Sequence, residues 1–140
     1  MIEIPWIGRA LYLDYFASYL QEKDIKIKDI NDLGIAVETL QQNPYIGLIV
    51  QAGAMELGKG NFQQLSRIEN GDTTGLIYSF LKRVRTFPSY ESTPIVIPHT
   101  GVRDIKRLMI DDRIYLFDLT GRGNGILERF GKCVENALKS

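Results

Sequence analysis

The stretch Pro44–Ala54 (PYIGLIVQAGA) places the strongest constraint on how this chain can fold. Its apolar run, Ile46–Val50, is entered through a proline and left through small residues. A run this short, bounded by turn signals and containing β-branched residues, predicts a strand that is buried on both faces. Ligands and reactive groups in an open α/β sheet gather where such strands end. Gln51 occupies that end, and an amide is neither a nucleophile nor an acid.

Strand-like and helix-like segments alternate along the whole chain. Five apolar runs have the length and composition of strands: Ile2–Ile7, Ile25–Ile30, Ile46–Val50, Thr93–Pro98 and Arg113–Leu119. Apolar residues at helical spacing follow each of them, over about 9–22, 32–42, 73–87, 102–109 and 126–139. This alternation predicts parallel strands joined by right-handed crossovers, with helices on both faces. We therefore expect a five-stranded, doubly wound parallel sheet with strand order 2-1-3-4-5.

Two segments interrupt this regular pattern. Pro5 cannot donate a hydrogen bond, so the first strand is expected to be short, bent or partly at an edge. The loop 53–75 lies between the third strand and the third helix, and a short helix is predicted within it over Asn61–Ile68. A loop of this length is usually a functional lid or a mobile insertion.

Composition excludes several classes of protein. Seventeen basic and seventeen acidic residues give a net charge of zero. The overall charge therefore does not favour nucleic acid or an anionic membrane as a partner. The single cysteine, Cys133, excludes an internal disulfide and is expected to be a small buried hydrophobe. No run approaches the ~20 apolar residues that a membrane span needs. No signal peptide is visible, so a cytoplasmic protein is expected.

Two surface features have more than one interpretation. Tyr12, Tyr15 and Tyr19 lie at helical spacing, and they either broaden the buried face of the first helix or form an aromatic contact surface. Lys82, Arg83 and Arg85 are predicted to point outward, and the basic residues of the next predicted helix are Arg103, Lys106 and Arg107. They would form one basic strip if the third and fourth helices were neighbours, although solvated helix faces have the same composition.

Three stretches resemble the receiver domain of two-component response regulators. PYIGLIVQ is similar to that family's third strand, which follows a proline and ends at the phosphoacceptor. TPIVIPHTG is similar to its fourth strand, which ends at a hydroxyl residue, and IYLFDL to its fifth, which leads to a Lys-Pro pair. The resemblance covers nearly the whole chain and implies one flavodoxin-like, three-layer α/β/α domain over residues 1–140.

The resemblance implies a phosphorylation site that this sequence does not reproduce. A receiver needs an Asp nucleophile, an acidic pair that holds Mg²⁺, a hydroxyl and a lysine. The equivalent positions are, in that order, Gln51, Trp6 with Ile7, His99 followed by Thr100, and Asp118. We therefore expect no aspartyl phosphate, no cofactor and no bound metal.

The resemblance also implies an interaction surface. Tyr115 occupies the position of the aromatic residue that swings with phosphorylation in the family, although a packed core tyrosine is the favoured interpretation here. The family often pairs through its fourth helix, fifth strand and fifth helix, about 102–138 in this chain. The candidate interface residues are Val102, Ile105, Tyr115 and Phe130, together with Tyr12, Tyr15 and Tyr19.

Two other arrangements carry potential chemistry. His99 and Asp118 are expected at neighbouring strand ends, where they either satisfy each other or cap a turn. The segment Gly121–Gly125 is glycine-rich and precedes a helix, which is typical of a phosphate loop or of a tight turn with Asn124 as the helix cap; the second interpretation is favoured.

Two functional hypotheses follow from the sequence. The first is a pseudo-receiver in signal transduction that is not an enzyme and acts through a protein partner or as a homodimer. The alternative is a small flavodoxin-like protein or enzyme that binds a ligand or nucleotide. It would use the pocket formed by Gln51, His99, Asp118 and the loop 53–75.

Overall fold

Strands and helices alternate along the chain in the computed structural model, which describes residues 1–8, 13–52, 73–102, 104–120 and 125–139. The strands are β1 (Ile2–Ile7), β2 (Ile25–Ile30), β3 (Leu48–Val50), β4 (Ile95–His99) and β5 (Ile114–Asp118). The helices are α1 (Leu13–Gln21), α2 (Leu33–Gln42), α3 (Thr73–Arg85) and α4 (Ile126–Lys139). Two 3₁₀ segments, Pro88–Tyr90 and Ile105–Leu108, flank β4.

The five strands form one parallel sheet with the order β2-β1-β3-β4-β5, which confirms the predicted fold. β1 is an interior strand, although Pro5 lies within it. It pairs with β2 along its full length but with β3 only at Trp6 and Ile7. Gly8 donates its N–H to β2, and Ile7 accepts from β3 through its carbonyl. The nitrogen of Pro5 therefore faces the side of β3 before that pairing begins, where no donor is needed.

The central strand β3 is shorter than the sequence predicts. Its three residues, Leu48–Val50, are fully buried, whereas the side chain of Ile46 is 54% exposed. Gly47 lies close to α4, because a Cβ at this position would lie 2.4 Å from Cδ2 of Leu138. A side chain at position 47 would require Leu138 to shift, and the buried run begins after this close approach.

Two apolar cores lie on opposite faces of the sheet. One contains buried side chains of α2 and α3, among them Leu33 and Phe80. The other contains side chains of α1 and α4, with Trp6 between Phe16 (ring centroids 5.7 Å apart) and Phe130 (5.5 Å). Aromatic rings at such distances contribute beyond their buried area. Each face of the sheet is therefore covered by two of the described helices.

The fourth helix of the predicted pattern is reduced to a 3₁₀ segment. Ile105–Leu108 is a single short turn that follows Asp104, whose φ is +59°. Within it Leu108 is fully buried, and Met109, which follows the segment, is 50% exposed. Such segments are rarely longer than a turn, because their hydrogen bonds are less well aligned. The layer that covers β5 on this face is therefore thin.

Arg85 is also placed differently from the prediction, because its guanidinium points into the protein. Its Nε and Nη2 donate to the two carboxylate oxygens of Asp111 at 2.8 and 3.2 Å. Its Nη1 donates to the carbonyls of Tyr90 (2.8 Å) and Thr93 (2.6 Å). Asp111 in turn accepts the N–H of Arg113 at 2.8 Å. One side chain thus joins the end of α3, the segment before β4 and the turn before β5.

The predicted helix Asn61–Ile68 and most of the loop 53–75 lie outside the described residues, and α3 already begins at Thr73. None of the described helices combines the length and apolar character that crossing a membrane requires.

Candidate functional site

The carboxyl ends of β1, β3, β4 and β5 meet at one edge of the sheet. Ile7 pairs with Val50, and the N–H of Gln51 donates to the carbonyl of Ile7 at 2.8 Å. His99 pairs with Asp118 at the end of β4 and β5. The structure therefore brings the predicted positions together at this edge: Trp6, Ile7, Gln51, His99, Thr100 and Asp118.

Gln51 is bound at this edge through its amide nitrogen. Its Nε2 donates to the carbonyls of Ala52 (3.0 Å) and Pro98 (3.2 Å), and the residue is only 5% exposed. Two carbonyl oxygens can pair only with a donor, so they fix the orientation of the amide. A carboxylate in the same place would present oxygen to oxygen. The surroundings of this position therefore favour a donor over an acid.

The oxygen of the Gln51 amide lacks a partner among the described residues, and the neighbouring end of β1 is apolar. Among the described residues, Gln51 Oε1 and the indole Nε1 of Trp6 are buried without a hydrogen-bond partner. Trp6 and Ile7 are fully buried, each in one of the two apolar cores. The end of β1 thus contributes packing to the core and no oxygen ligand, as the sequence indicates.

His99 is buried and bound to the chain just after β4. Its Nδ1 accepts the N–H of Gly101 at 3.2 Å, and the residue is 7% exposed. Gly101 has φ +75°, a left-handed conformation that glycine adopts readily. Because Nδ1 is an acceptor here, a proton on the neutral ring resides on Nε2. Thr100, by contrast, is exposed.

Asp118 is an exposed residue that caps the turn after β5. Its Oδ1 accepts the N–H of Thr120 at 2.8 Å and the Thr120 hydroxyl at 2.6 Å. These two bonds lower the pKa of Asp118 below its usual value, and the charge of His99 adds a smaller effect. The carboxylate and the imidazole therefore each bind a residue two positions ahead. Of the two predicted roles, capping a turn is the one that Asp118 performs.

Replacing Thr120 with valine should raise the pKa of Asp118 toward its ordinary value. Valine has a similar shape and keeps the N–H but removes the hydroxyl, which is the largest cause of the lowered pKa. The measurement is a carboxyl-carbon NMR titration. Thr100→Val, at an exposed hydroxyl nearby, is the control and should leave the curve unchanged. An Asp118 titration that is identical in wild type and Thr120→Val would contradict the assignment.

The residues predicted as an interface differ widely in exposure. Phe130 is fully buried at the centre of the aromatic cluster, so it is a core residue and presents no surface. Tyr115, Val102 and Ile105 are half-buried, and Tyr15 is 67% exposed. Tyr12 lies outside the described residues. The surface near β5 is therefore built from fewer residues than predicted.

Tyr15 and Tyr19 line a groove of about 510 Å³ between α1 and α4. Tyr19 packs closely on α4, because a Cβ at Gly131 would lie 2.5 Å from its ring. The Lys23 ammonium lies 5.4 Å from the same ring and 3.2 Å from Glu135. Tyr19 is thus used in helix packing, and Tyr15 remains at the surface.

The basic strip is partly formed. Lys82 and Arg107 lie 5.2 and 4.9 Å from the ring centroid of Tyr78, which places α3 beside the segment Ile105–Leu108. The condition for a shared strip is therefore met, but Arg85 is turned inward and Arg103 lies outside the described residues.

Residues outside the described ranges include the segment Gly121–Asn124, so the glycine-rich loop and the predicted cap are not placed. In the part of the chain that the structure describes, no three His, Cys, Asp or Glu side chains come together as metal ligands. Cys133 is half-buried, and burial raises the pKa of its thiol.

The groups that bind Gln51 and Asp118 were not predicted from the sequence. The carbonyls of Ala52 and Pro98 are backbone atoms, and no residue type records their direction. Thr120 could have been found, because an Asp followed two residues later by a hydroxyl residue is a turn signal.

No family model and no curated protein matches this chain. Its structure is similar to solved receiver domains. These include the receiver domain of a sensor histidine kinase from Pseudomonas aeruginosa PAO1 (10% identity, 99% of this chain and 98% of that chain, TM-score 0.69). They also include a putative response regulator from Chloroflexus aurantiacus (13% identity, all of both chains, TM-score 0.69). A third is the signal receiver domain of an HD domain-containing protein from Pseudomonas fluorescens Pf-5 (16% identity, 99% and 94% covered, TM-score 0.65).

These similarities extend over nearly the whole of each chain at low identity, so they show the fold. The chain has a receiver-like fold. The Pseudomonas aeruginosa receiver domain is described with a magnesium ion coordinated in its active-site cleft.

Proposed function

We propose that this chain is a receiver-like signalling module that is not phosphorylated and that acts through contact with other proteins. The observation that carries the proposal is the binding of Gln51 Nε2 to two backbone carbonyls at the position where a receiver carries its phosphoacceptor. Those carbonyls repel a carboxylate and its phosphorylated form alike, because both present only negative oxygens at neutral pH.

The residues around Gln51 support the same proposal. Trp6 and Ile7 replace the acidic pair that would hold Mg²⁺, and both are fully buried in apolar cores. Asp118 replaces the lysine and adds a negative charge where a phosphoryl group needs a positive one. Restoring one member of this set would leave the others absent. Phosphoryl transfer is therefore not the chemistry proposed for this edge.

Beryllofluoride with Mg²⁺, which imitates a phosphoryl group on a receiver, tests the proposal. Trp6 is the only tryptophan and is buried at this edge, so its fluorescence reports on any binding there. We expect no Mg²⁺-dependent change in wild type or in Gln51→Asp. A receiver domain with a complete acidic pair, Asp and Lys serves as the positive control. Saturable binding by the wild type, or an acid-stable, base-labile phosphate after acetyl phosphate treatment, would contradict the proposal.

The alternative, a ligand-binding protein, has one observation in its favour. Gln51 and His99 are buried polar side chains at the same edge, and Gln51 Oε1 is unpaired among the described residues. A small polar ligand with a donor would satisfy that atom. Native mass spectrometry of the purified chain separates the two functions, because a retained small molecule favours this one.

A further inference from the structure

The two outer strands of the sheet have opposite surface chemistry. β2 carries three exposed charged side chains, Lys26, Lys28 and Asp29. Charged side chains on an edge strand, lysine above all, prevent other strands from pairing with it. β5 has one exposed charge, at its last residue, Asp118. Its middle residues, Tyr115–Phe117, are apolar or aromatic and half-buried. Among the described residues, charged side chains therefore protect the β2 edge and not the β5 edge.

The backbone of β5 has hydrogen-bonding groups directed outward. Ile95 donates its N–H to the carbonyl of Arg113 at 3.0 Å, and Leu119 donates to the carbonyl of His99 at 2.7 Å. The odd-numbered residues of β5 thus carry the bonds to β4. Because successive residues of a strand direct these groups to opposite sides, the N–H and C=O of Ile114, Leu116 and Asp118 point away from the sheet.

Apolar side chains border this edge on both faces. Tyr115, Phe117 and Leu127 are half-buried on the face that α1 and α4 cover. On the other face, Leu116 and Ile105 are half-buried, since only a 3₁₀ segment lies there in place of a full helix. A strand that paired with β5 would extend the sheet and cover apolar surface on both sides.

We propose that β5 pairs with β5 of a second copy of this chain, antiparallel, about a two-fold axis through Leu116. This inference rests on the proposed function and names the partner. In this register Leu116 lies opposite the partner's Leu116, and Tyr115 lies opposite the partner's Phe117. Ile114 lies opposite the partner's Asp118, so all three outward-facing residues form hydrogen-bonded pairs. Cross-strand aromatic pairs of this kind stabilise antiparallel sheets.

The net charge of the chain and the positions of its aspartates favour one partner and one register for the strand pairing. The formal net charge of the chain is zero, so two copies approach without long-range repulsion. An axis through Tyr115 would place Asp112 opposite the partner's Asp118, and like charges in that arrangement repel. An axis through Phe117 would separate the aromatic pair. The register about Leu116 keeps that pair and avoids the contact between Asp112 and Asp118, and its self-complementarity favours a second copy over an unrelated strand.

Sedimentation velocity over a wide range of concentration tests the pairing with the full chain. We expect a reversible wild-type dimer and a dissociation constant about 100-fold or more higher for Leu116→Lys, which places two ammonium groups at the axis. Ile27→Lys is the matched control, since Ile27 is half-buried in the middle of the opposite edge strand. It should dimerise as the wild type does. A wild type that stays monomeric, or a folded Leu116→Lys that dimerises normally, would overturn the pairing.

Disulfide trapping decides the question independently of how Leu116→Lys folds. In a Cys133→Ser background, Leu116→Cys should form an intermolecular disulfide, because opposed Cα atoms in a hydrogen-bonded pair lie about 5.5 Å apart. Ile27→Cys in the same background should not. Failure of Leu116→Cys to cross-link a folded protein rejects the register. A wild-type protein that is monomeric and does not bind beryllofluoride would contradict the pairing and leave the proposed function standing. Binding of beryllofluoride would contradict the proposed function, whatever the oligomeric state.

Discussion

Replacing Arg85 with leucine is expected to lower the free energy of unfolding by about 3–5 kcal/mol. The guanidinium donates two bonds to Asp111 and one each to the carbonyls of Tyr90 and Thr93, with only 10% of the side chain exposed. Leucine keeps much of the volume but supplies no donor. The partly buried carboxylate and two carbonyls would then lose their partner, which costs more than the pair itself contributes.

The control for this prediction is Arg83→Leu, which removes an exposed arginine of the same helix and should change stability by no more than about 0.5 kcal/mol. Arg85→Lys should fall between the two, because one ammonium cannot bind Asp111 and both carbonyls in the planar geometry of a guanidinium. Urea unfolding followed by circular dichroism measures all three. Equal losses for Arg83→Leu and Arg85→Leu would show that the buried bonds contribute little.

Gln51→Glu is expected to destabilise the fold by about 3–5 kcal/mol at neutral pH. The change is nearly isosteric, so packing is preserved while the two donated bonds to Ala52 and Pro98 are replaced by contacts between oxygens. Burial and the two carbonyls both disfavour the charged carboxylate, so the pKa of the introduced Glu is raised in the folded state.

The pH dependence of this variant follows from that direction. The folded state holds its proton to higher pH than the unfolded state does, so stability falls as pH rises from about 4.3, the unfolded value, through the raised folded value. The loss is complete above that folded pKa and is relieved below about pH 4.3, where a protonated Glu can donate one bond.

Gln51→Met supplies the comparison, because it removes the donors without adding charge and should cost about 1–2 kcal/mol with no such pH dependence. Thermal unfolding of the variants between pH 4 and 8 relative to wild type makes the measurement. A Gln51→Glu variant as stable as wild type at neutral pH would show that the carbonyls do not face this side chain. It would remove the main support for the proposed function.

Local pattern was sufficient to predict most of the fold. Apolar periodicity identified α2 and α4, and the structure adds that Asp32 caps α2, with its Oδ1 accepting the N–H of Ile35 at 3.0 Å. The local sequence pattern failed where the environment of a side chain depends on residues that are distant in sequence. Arg85 has the sequence pattern of a solvated helix residue, and that pattern does not show its contact with Asp111. The exposure of Ile46 is likewise not predicted from the apolar run that contains it.

The candidate site shows the same division between side chains and backbone. The unusual residue at each position, such as Gln51 or Asp118, is visible in the sequence because side-chain chemistry is written there. Which atoms they bind depends on the direction of carbonyls and on turns such as the one that ends at Thr120. Phe130 was predicted to be an interface residue because the family's interaction face was carried over to this chain as a continuous range. Residues within that range differ in burial, and Phe130 is one of the buried ones.

The contact between Gly47 and Leu138 has a consequence for the order in which this chain folds. It joins the entrance of the central strand to the last turn of the last helix, about 90 residues later in sequence. Gly131 and Tyr19 form a second contact of comparable separation. Closing such long loops is entropically costly, and this entropy is lost before the contacts can stabilise the chain. During synthesis, the face of the sheet that contains Trp6 therefore lacks the part of its cover that α4 provides until α4 has left the ribosome.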